Sequence, residues 1–239
     1  MAESTANIIL EVQEIQTFIG QFQILEGVTL SVPRGSITVI LGRNGAGKTT
    51  TLKSIMGLTP PRQGIIQFEG KKLAGKRPFH AARLGIGYVP EHRAIFSELS
   101  VRENLEIAQR KRGDLDRSLD SIFMLFPDLK RLYTSPGGKL SGGQQQMLAI
   151  ARALVPENRL LLIDEPSEGL APVVIEHLME AIRKLASQVT VLLVEQNFRM
   201  ASQLADRYVI IDDGQSVSAG AMSDLLHNQA LIQRYLGAA

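Results

Sequence analysis

The chain contains no cysteine, so it can build no disulfide framework, no cysteine-ligated zinc site and no thiol nucleophile. A reducing compartment is thereby permitted, not required. Long apolar runs are missing too. The longest are of the size of VTVLLV at 189–194, whereas a membrane-spanning helix needs about 20 residues. The chain is therefore expected to be soluble, and any membrane role has to come through a partner. The N-terminal stretch MAESTANIILEV lacks a basic segment followed by a long apolar one, so no signal peptide is expected. Nor does one charge dominate: 26 basic and 24 acidic side chains leave a net +2. The short stretches KRPFH and QRKRGD read as solvated faces, and nothing points to nucleic acid.

What is present is a chain of 239 residues, 44% of them hydrophobic, enough for a sizeable core in one large domain or one with a second lobe. Short continuous apolar runs recur at 37–41, 86–89, 160–164, 190–194 and 208–211. They do not alternate, so they read as strands covered on both faces, the habit of a parallel sheet. Between two of them lies a helical stripe of Ile175, Leu178, Met179, Ile182 and Leu185. Strand, helix, strand in this order means βαβ units and an α/β fold. Residues 8–32 and 65–70 alternate and carry turn glycines, which predicts an antiparallel β-layer. Residues 100–135 hold no strand run. VRENLEIAQRK and RSLDSIFMLFPDLKRLY read as helices of a small lobe inserted before the sheet resumes at Leu160.

Against this background LGRNGAGKTT, residues 41–50, is poor core and poor helix material. Its spacing, Gly42-x-x-x-x-Gly47-Lys48-Thr49, is that of a P-loop. The setting agrees. A strand feeds the bend, and a helix follows with Leu52, Ile55 and Met56 inward and Gly57 as its stop. Glycines let the backbone of Gly42, Arg43, Asn44, Gly45, Ala46 and Gly47 come close to a ligand. The helix N-terminus behind them carries about half a positive charge. A polyphosphate suits such a cradle. Lys48 would reach its β- and γ-phosphates, Thr49 would ligate Mg2+, and Thr50 adds a further hydroxyl.

Carboxylates come from RLLLIDEP. Asp164 ends an apolar strand and so emerges at the sheet's C-terminal edge, where it is the expected Mg2+ partner. Glu165 follows at once and is placed to orient or deprotonate an attacking water. In KLSGGQQQMLAIARALVP, Ser141 reads as a helix N-cap, and Pro156 lies just past the helix end. Gly142 and Gly143 bare the backbone there, making a second anion-seeking helix start without a lysine.

GRNGAGKTT, LSGGQ (140–144) and LLLIDEP, in this order, resemble the nucleotide-binding subunit of an ABC transporter over nearly the whole chain. The resemblance implies a P-loop NTPase fold with a mostly parallel sheet core, an N-terminal antiparallel β-layer and an inserted helical subdomain. Within one domain, 1–239, residues 1–91 and 156–239 would form the core with its β-layer, and 92–155 the subdomain carrying LSGGQ. It further implies ATP and Mg2+ as cofactors, and a head-to-tail dimer with a second ATPase subunit, identical or homologous. Ser141, Gly142, Gly143 and Gln144 of one subunit would close on the γ-phosphate held by the other's P-loop. Finer matches, among them DEPSEGLAP, LLVEQN and YLG, resemble ATP-binding subunits of branched-chain amino acid importers. That resemblance implies membrane-spanning permease subunits, an indirect link to a substrate-binding protein, and a place on the cytoplasmic face of the cell membrane. Residues 91–101 would be the strip that grips a permease helix.

Three positions depart from the wider family. Glu91 stands where glutamine is common, and as a carboxylate it can still ligate Mg2+. Gln196 replaces a histidine; it can hydrogen-bond a phosphate but carries no proton or charge. Ile19 replaces the aromatic that stacks on adenine, with Phe18 as an alternative base contact. The rival readings are another ABC transporter, for urea or amide import or for lipid or lipopolysaccharide export, and a nucleotide-gated regulatory subunit with little catalysis. An ATPase of DNA repair or translation fits less well, because those carry coiled-coil insertions or two cassettes.

Overall fold

Residues 7–237 are described by the computed structural model of the chain. The N-terminal stretch read as free of a targeting segment falls partly on residues 1–6, outside the described residues. β1 (Ile8–Ile19) and β2 (Phe22–Pro33) form an antiparallel hairpin, and β3 (Ile37–Leu41) leads into the glycine bend and α1 (Lys48–Met56). β4 (Gln63–Phe68), β5 (Lys71–Lys72) and α2 (Pro78–Arg83) precede β6 (Ile86–Val89). Four helices follow with no strand between them: α3 (Val101–Glu106), α4 (Asp114–Leu125), α5 (Pro127–Arg131) and α6 (Gly142–Leu154). Then come β7 (Leu160–Asp164), α7 (Pro172–Ala186), β8 (Thr190–Val194), α8 (Phe198–Leu204), β9 (Arg207–Asp212) and β10 (Gln215–Ala221). α9 (Met222–Leu226) and α10 (Gln229–Leu236) end the described chain.

The strands join in the order β5-β4-β1-β2-β10-β9-β3-β8-β7-β6. From β9 to β6 every pairing is parallel, and these are the five apolar runs. Their two faces bury different partners, which explains why they do not alternate. Val39, Leu161, Ile163, Val191 and Leu193 pack with α6, α7 and α8. Ile40, Leu160, Leu162, Leu192 and Val194 pack with α1 and the antiparallel layer of β1, β2 and β4. A buried Thr17–Ser54 hydroxyl contact of 2.9 Å ties that layer to α1.

The helices between β6 and β7 are shorter than their sequence pattern. α3 starts with a capping box, in which Ser100 and Glu103 satisfy each other's N–H groups, and it stops at Glu106. Pro127 splits the following pattern into α4 and α5, because it lacks the N–H a continuing helix needs. β10 is unforeseen in the sequence. It returns antiparallel from β9 through Asp213 and Gly214 and touches β2, joining the two halves of the sheet.

Candidate functional site

The bend after β3 is held in shape by its own backbone. Ala46 N–H donates to Arg43 O at 3.2 Å, and Gly214 N–H donates to Ala46 O at 3.0 Å. Gly42 has φ 150°, and a Cβ there would stand 2.2 Å from Ile211 O; Gly47 has φ 107° and the same objection from Leu25 at 2.6 Å. Only glycine fits either position. Thr51 N–H reaches Gly47 O, so the N–H groups of residues 48–50 precede the first intrahelical bond, and no side chain caps α1. All three residues line the cavity described below.

Lys48 is 4% exposed. Its Nζ donates to Arg43 O at 3.1 Å and pairs with Glu165 Oε1 at 3.3 Å. Gln196 Nε2 donates to Glu165 Oε2 at 2.5 Å. Glu165 itself sits at φ 43°, a left-handed conformation uncommon for a residue with a side chain. The apex of the site is therefore a buried cation and carboxylate, steadied by an amide. Beside it Thr49 Oγ1 donates to Asp164 Oδ1 at 2.9 Å, and Tyr88 OH donates to Asp164 Oδ2 at 3.2 Å. Burial raises the pKa of Asp164 against these two hydrogen bonds, which lower it.

A cavity of about 410 Å3 is lined by Lys48, Thr49, Glu165 and Gln196, while Asp164 is buried and joins it only through its bond to Thr49. Asn44, Gly45, Gly47, Lys48, Thr49 and Thr50 line one side of it. Ile19 and Ile24 line another, with Glu91, Glu165, Glu168 and Gln196 completing the wall. Ile19 is half exposed at its rim. Phe18 points the other way along the alternating strand and lies under the Arg62 guanidinium, 4.0 Å from ring centroid to Cζ. Much of the expected set thus lines one cavity; Gly42, Ala46 and Asp164 adjoin it without lining it, and Arg43 and the segment Ser141–Gln144 are placed differently. Arg43 sends its guanidinium out to Arg234 O on α10, at 3.2 Å, and serves the site only through its carbonyl, which accepts from Lys48. The segment Ser141–Gln144 lies elsewhere. Ser141 and Gly142 are exposed at the start of α6, while Gly143 is buried. Ser141 and Gln144 form a capping box, and Gln144 Nε2 also donates to Asp128 Oδ2 at 3.1 Å, bracing this helix start against α5.

Sequence reasoning missed three groups. Glu168, three residues past Glu165, lines the cavity. Tyr88 holds Asp164 from the next strand. Glu195 is 1% exposed and accepts N–H bonds from Ser167 and Asn197, so it clasps the loop of Glu165 to the loop of Gln196. Burial raises its pKa. A carboxylate ending the apolar run TVLLV was the available signal for it.

The profile of the ABC transporter family matches residues 25–168. The chain belongs to that family. It is 40% identical over 232 residues to BraG of Pseudomonas aeruginosa, a high-affinity branched-chain amino acid transport ATP-binding protein; the match spans 96% of this chain and 100% of BraG. It is 34% identical over 221 residues to LivF of Archaeoglobus fulgidus, a probable branched-chain amino acid transport ATP-binding protein, across 91% of this chain and 94% of LivF. The ADP conformation of an ATP-binding cassette of an ABC transporter superposes with a TM-score of 0.85 at 26% identity, covering 97% of this chain and 99% of that one. The fold is that of an ABC ATPase cassette, and the chain is an ATP-binding, ATP-hydrolysing subunit of an ABC transporter. Among the described residues no helix is long and apolar enough to cross a membrane. ABC importers combine such ATPase subunits as dimers with membrane permeases.

Proposed function

We propose that this ABC ATPase drives import of branched-chain or related amino acids, from the cytoplasmic face of the cell membrane. The observation that carries the chemistry is the convergence of Lys48, Thr49 and Glu165 on one cavity at the uncapped start of α1, with Asp164 hydrogen-bonded to Thr49. The names of BraG and LivF support the substrate class. Residues 42–50 would cradle the triphosphate and Ile19 would make apolar contact with the base. Mg2+ suits the oxygen-only donors Thr49, Asp164 and Glu91, since this ion prefers a few carboxylate or hydroxyl ligands together with phosphates and waters. When bound it would absorb charge on the β- and γ-phosphates. Phosphate would draw Lys48 away from Glu165, freeing one carboxylate oxygen to polarise the attacking water while Gln196 holds the other.

Ser141 and Gly142, exposed and outside the chain's own cavity, would close on ATP held by a second ATPase subunit, head to tail. Gly142→Asp tests this. Its φ is ordinary, and aspartate is well tolerated in the first turn of a helix, so the fold should stand. The expected result is unchanged Mg-ATP affinity at the chain's own P-loop, with ATP-driven dimerisation lost and turnover at the facing site down about a hundredfold, the weight of lost transition-state donors. Unchanged turnover would remove this segment from the dimer site.

Gln196 points to a slow site. The amide steadies Glu165 but brings no charge to the γ-phosphate, and one charge-assisted hydrogen bond is worth about 1.5–3 kcal/mol. Gln196→His, assayed with the natural partner, should raise turnover by about tenfold. An unchanged rate means that position 196 does not limit turnover.

Co-purification from the native membrane tests the whole assignment. Two membrane-spanning subunits and a second ATPase should accompany the chain, and leucine uptake by cells should be lost with Glu165→Gln. Uptake that persists, or export-type partners, would contradict the importer reading.

A further inference from the structure

A second cavity, of about 330 Å3, opens between the end of α2, the start of α4 and the residues that precede β6 and β7. Gly85 and Arg159 stand immediately before those two strands. The cavity thus lies at the sheet edge where these parallel strands begin, whereas the nucleotide cavity lies where β3 and β7 end. Arg83, Arg110, Lys111, Arg117 and Arg159 line it, with Asp114 and Glu157 as its carboxylates. Five cations against two carboxylates leave an excess of three positive charges at one cavity, in a chain whose net charge is +2. QRKRGD, expected from the sequence to be a solvated face, supplies two of the five. Asp114 is buried, accepts the N–H groups of Arg110 at 2.9 Å and Lys111 at 2.7 Å, and pairs with Arg117, so its charge is spent within the fold. Arg110 Nη2 donates to Ile86 O at 3.2 Å, and Arg159 Nη2 donates to Leu84 O at 2.5 Å while pairing with Glu69. Both guanidiniums are thereby anchored to the sheet edge. Among the described residues, no carboxylate lies within ion-pair distance of Arg83, Arg110 or Lys111.

We propose that this cavity is a second anion site, which takes a linear oligophosphate of two or more linked phosphate groups. Guanidinium forks match phosphate oxygens in pairs, and Arg110 keeps N–H groups to spare after its bond to Ile86. A single phosphate brings about two negative charges, fewer than the cations here that lack a carboxylate. Glu157, on the same wall, has to be outweighed, which again favours the more highly charged ligand. The cations come from two parts of the fold. Arg83 ends α2 and Arg159 leads into β7, whereas Arg110, Lys111 and Arg117 belong to the segment between β6 and β7 that carries α3 to α6. Like charges repel across that seam, and a bridging polyanion draws its two sides together. Bound ligand therefore raises the stability of the chain. The inference is independent of the nucleotide site, which has its own cation and lies at the other sheet edge.

Inorganic triphosphate is the probe, titrated by calorimetry into the full chain in Mg2+-free buffer. Two sites per chain are expected: the P-loop and this cavity. Arg110→Gln with Lys111→Gln keeps both backbone N–H bonds to Asp114. It should weaken one site by about a hundredfold, the weight of two charge-assisted hydrogen bonds, and leave the other unchanged. Lys111→Gln alone removes only an exposed ammonium and should weaken the same site by about tenfold. Lys48→Ala with Glu165→Gln should lose the other site instead, which separates failure of the nucleotide reading from failure of this one. A single site in the unaltered chain, or two sites that both survive Arg110→Gln with Lys111→Gln, overturns the inference. Equal loss with Lys71→Gln and Lys72→Gln, two exposed lysines on β5, or equal binding of sulfate at matched ionic strength, means diffuse surface charge and overturns it too. So does retention on phosphatidylglycerol vesicles that depends on Arg110 and Lys111 without a second triphosphate site, which would mark a lipid-facing patch.

Discussion

Glu165→Gln is expected to bind Mg-ATP and to lose turnover by about 10²–10⁴-fold, the usual share of a general base. The substitution is nearly isosteric, and the neighbours define what it removes. One oxygen of Glu165 faces Lys48 at 3.3 Å and the other takes the Gln196 amide at 2.5 Å. The amide side chain keeps the shape and cannot accept a proton from water. It also deprives Lys48 of its intramolecular counter-charge, so phosphate no longer competes with Glu165 for that cation. Affinity should hold or rise, and the ATP-bound dimer should live longer because hydrolysis no longer dissolves it. Single-turnover assays beside nucleotide binding on the same preparation check both halves. Near-normal hydrolysis would remove Glu165 from its role.

The parts of the fold that were legible in the sequence are those with a one-residue or short-range cause. The runs at 37–41, 160–164 and 190–194 are buried at every position, so an unbroken apolar string was a faithful signal. The glycine bend was legible because Gly42 and Gly47 tolerate no side chain. β10 was not, because QSVSAGA buries none of its residues fully and owes its place to pairing with β9. Asp213-Gly214 is a hairpin signal that could have exposed it. In the site, Lys48, Thr49, Asp164 and Glu165 announced themselves through local spacing. Tyr88 did not, because its bond to Asp164 spans 76 residues and depends on strand order. The same holds for Glu195, whose contact with Ser167 crosses two loops. Gln144 was legible as a member of LSGGQ, but its bond to Asp128 shows that part of the motif's work is to anchor a helix start.

The second large effect belongs to Lys48. Among the described residues it is the one side-chain cation lining the nucleotide cavity, and its withdrawal leaves the buried Glu165 with the neutral Gln196 amide and no cation. Breaking a buried pair in this way costs about 3–5 kcal/mol. Lys48→Ala is therefore expected to lose stability as well as function, and Lys48→Ala with Glu165→Gln should recover most of the stability and none of the activity. That pairing separates a damaged fold from a missing cation. Titration calorimetry of Mg-ATP into the unaltered chain, the single variant and the double variant is the most direct measurement. The account predicts binding by the unaltered chain and a loss of about a hundredfold or more in both variants, the weight of one or two charge-assisted hydrogen bonds. Affinity that survives in a folded double variant would contradict it.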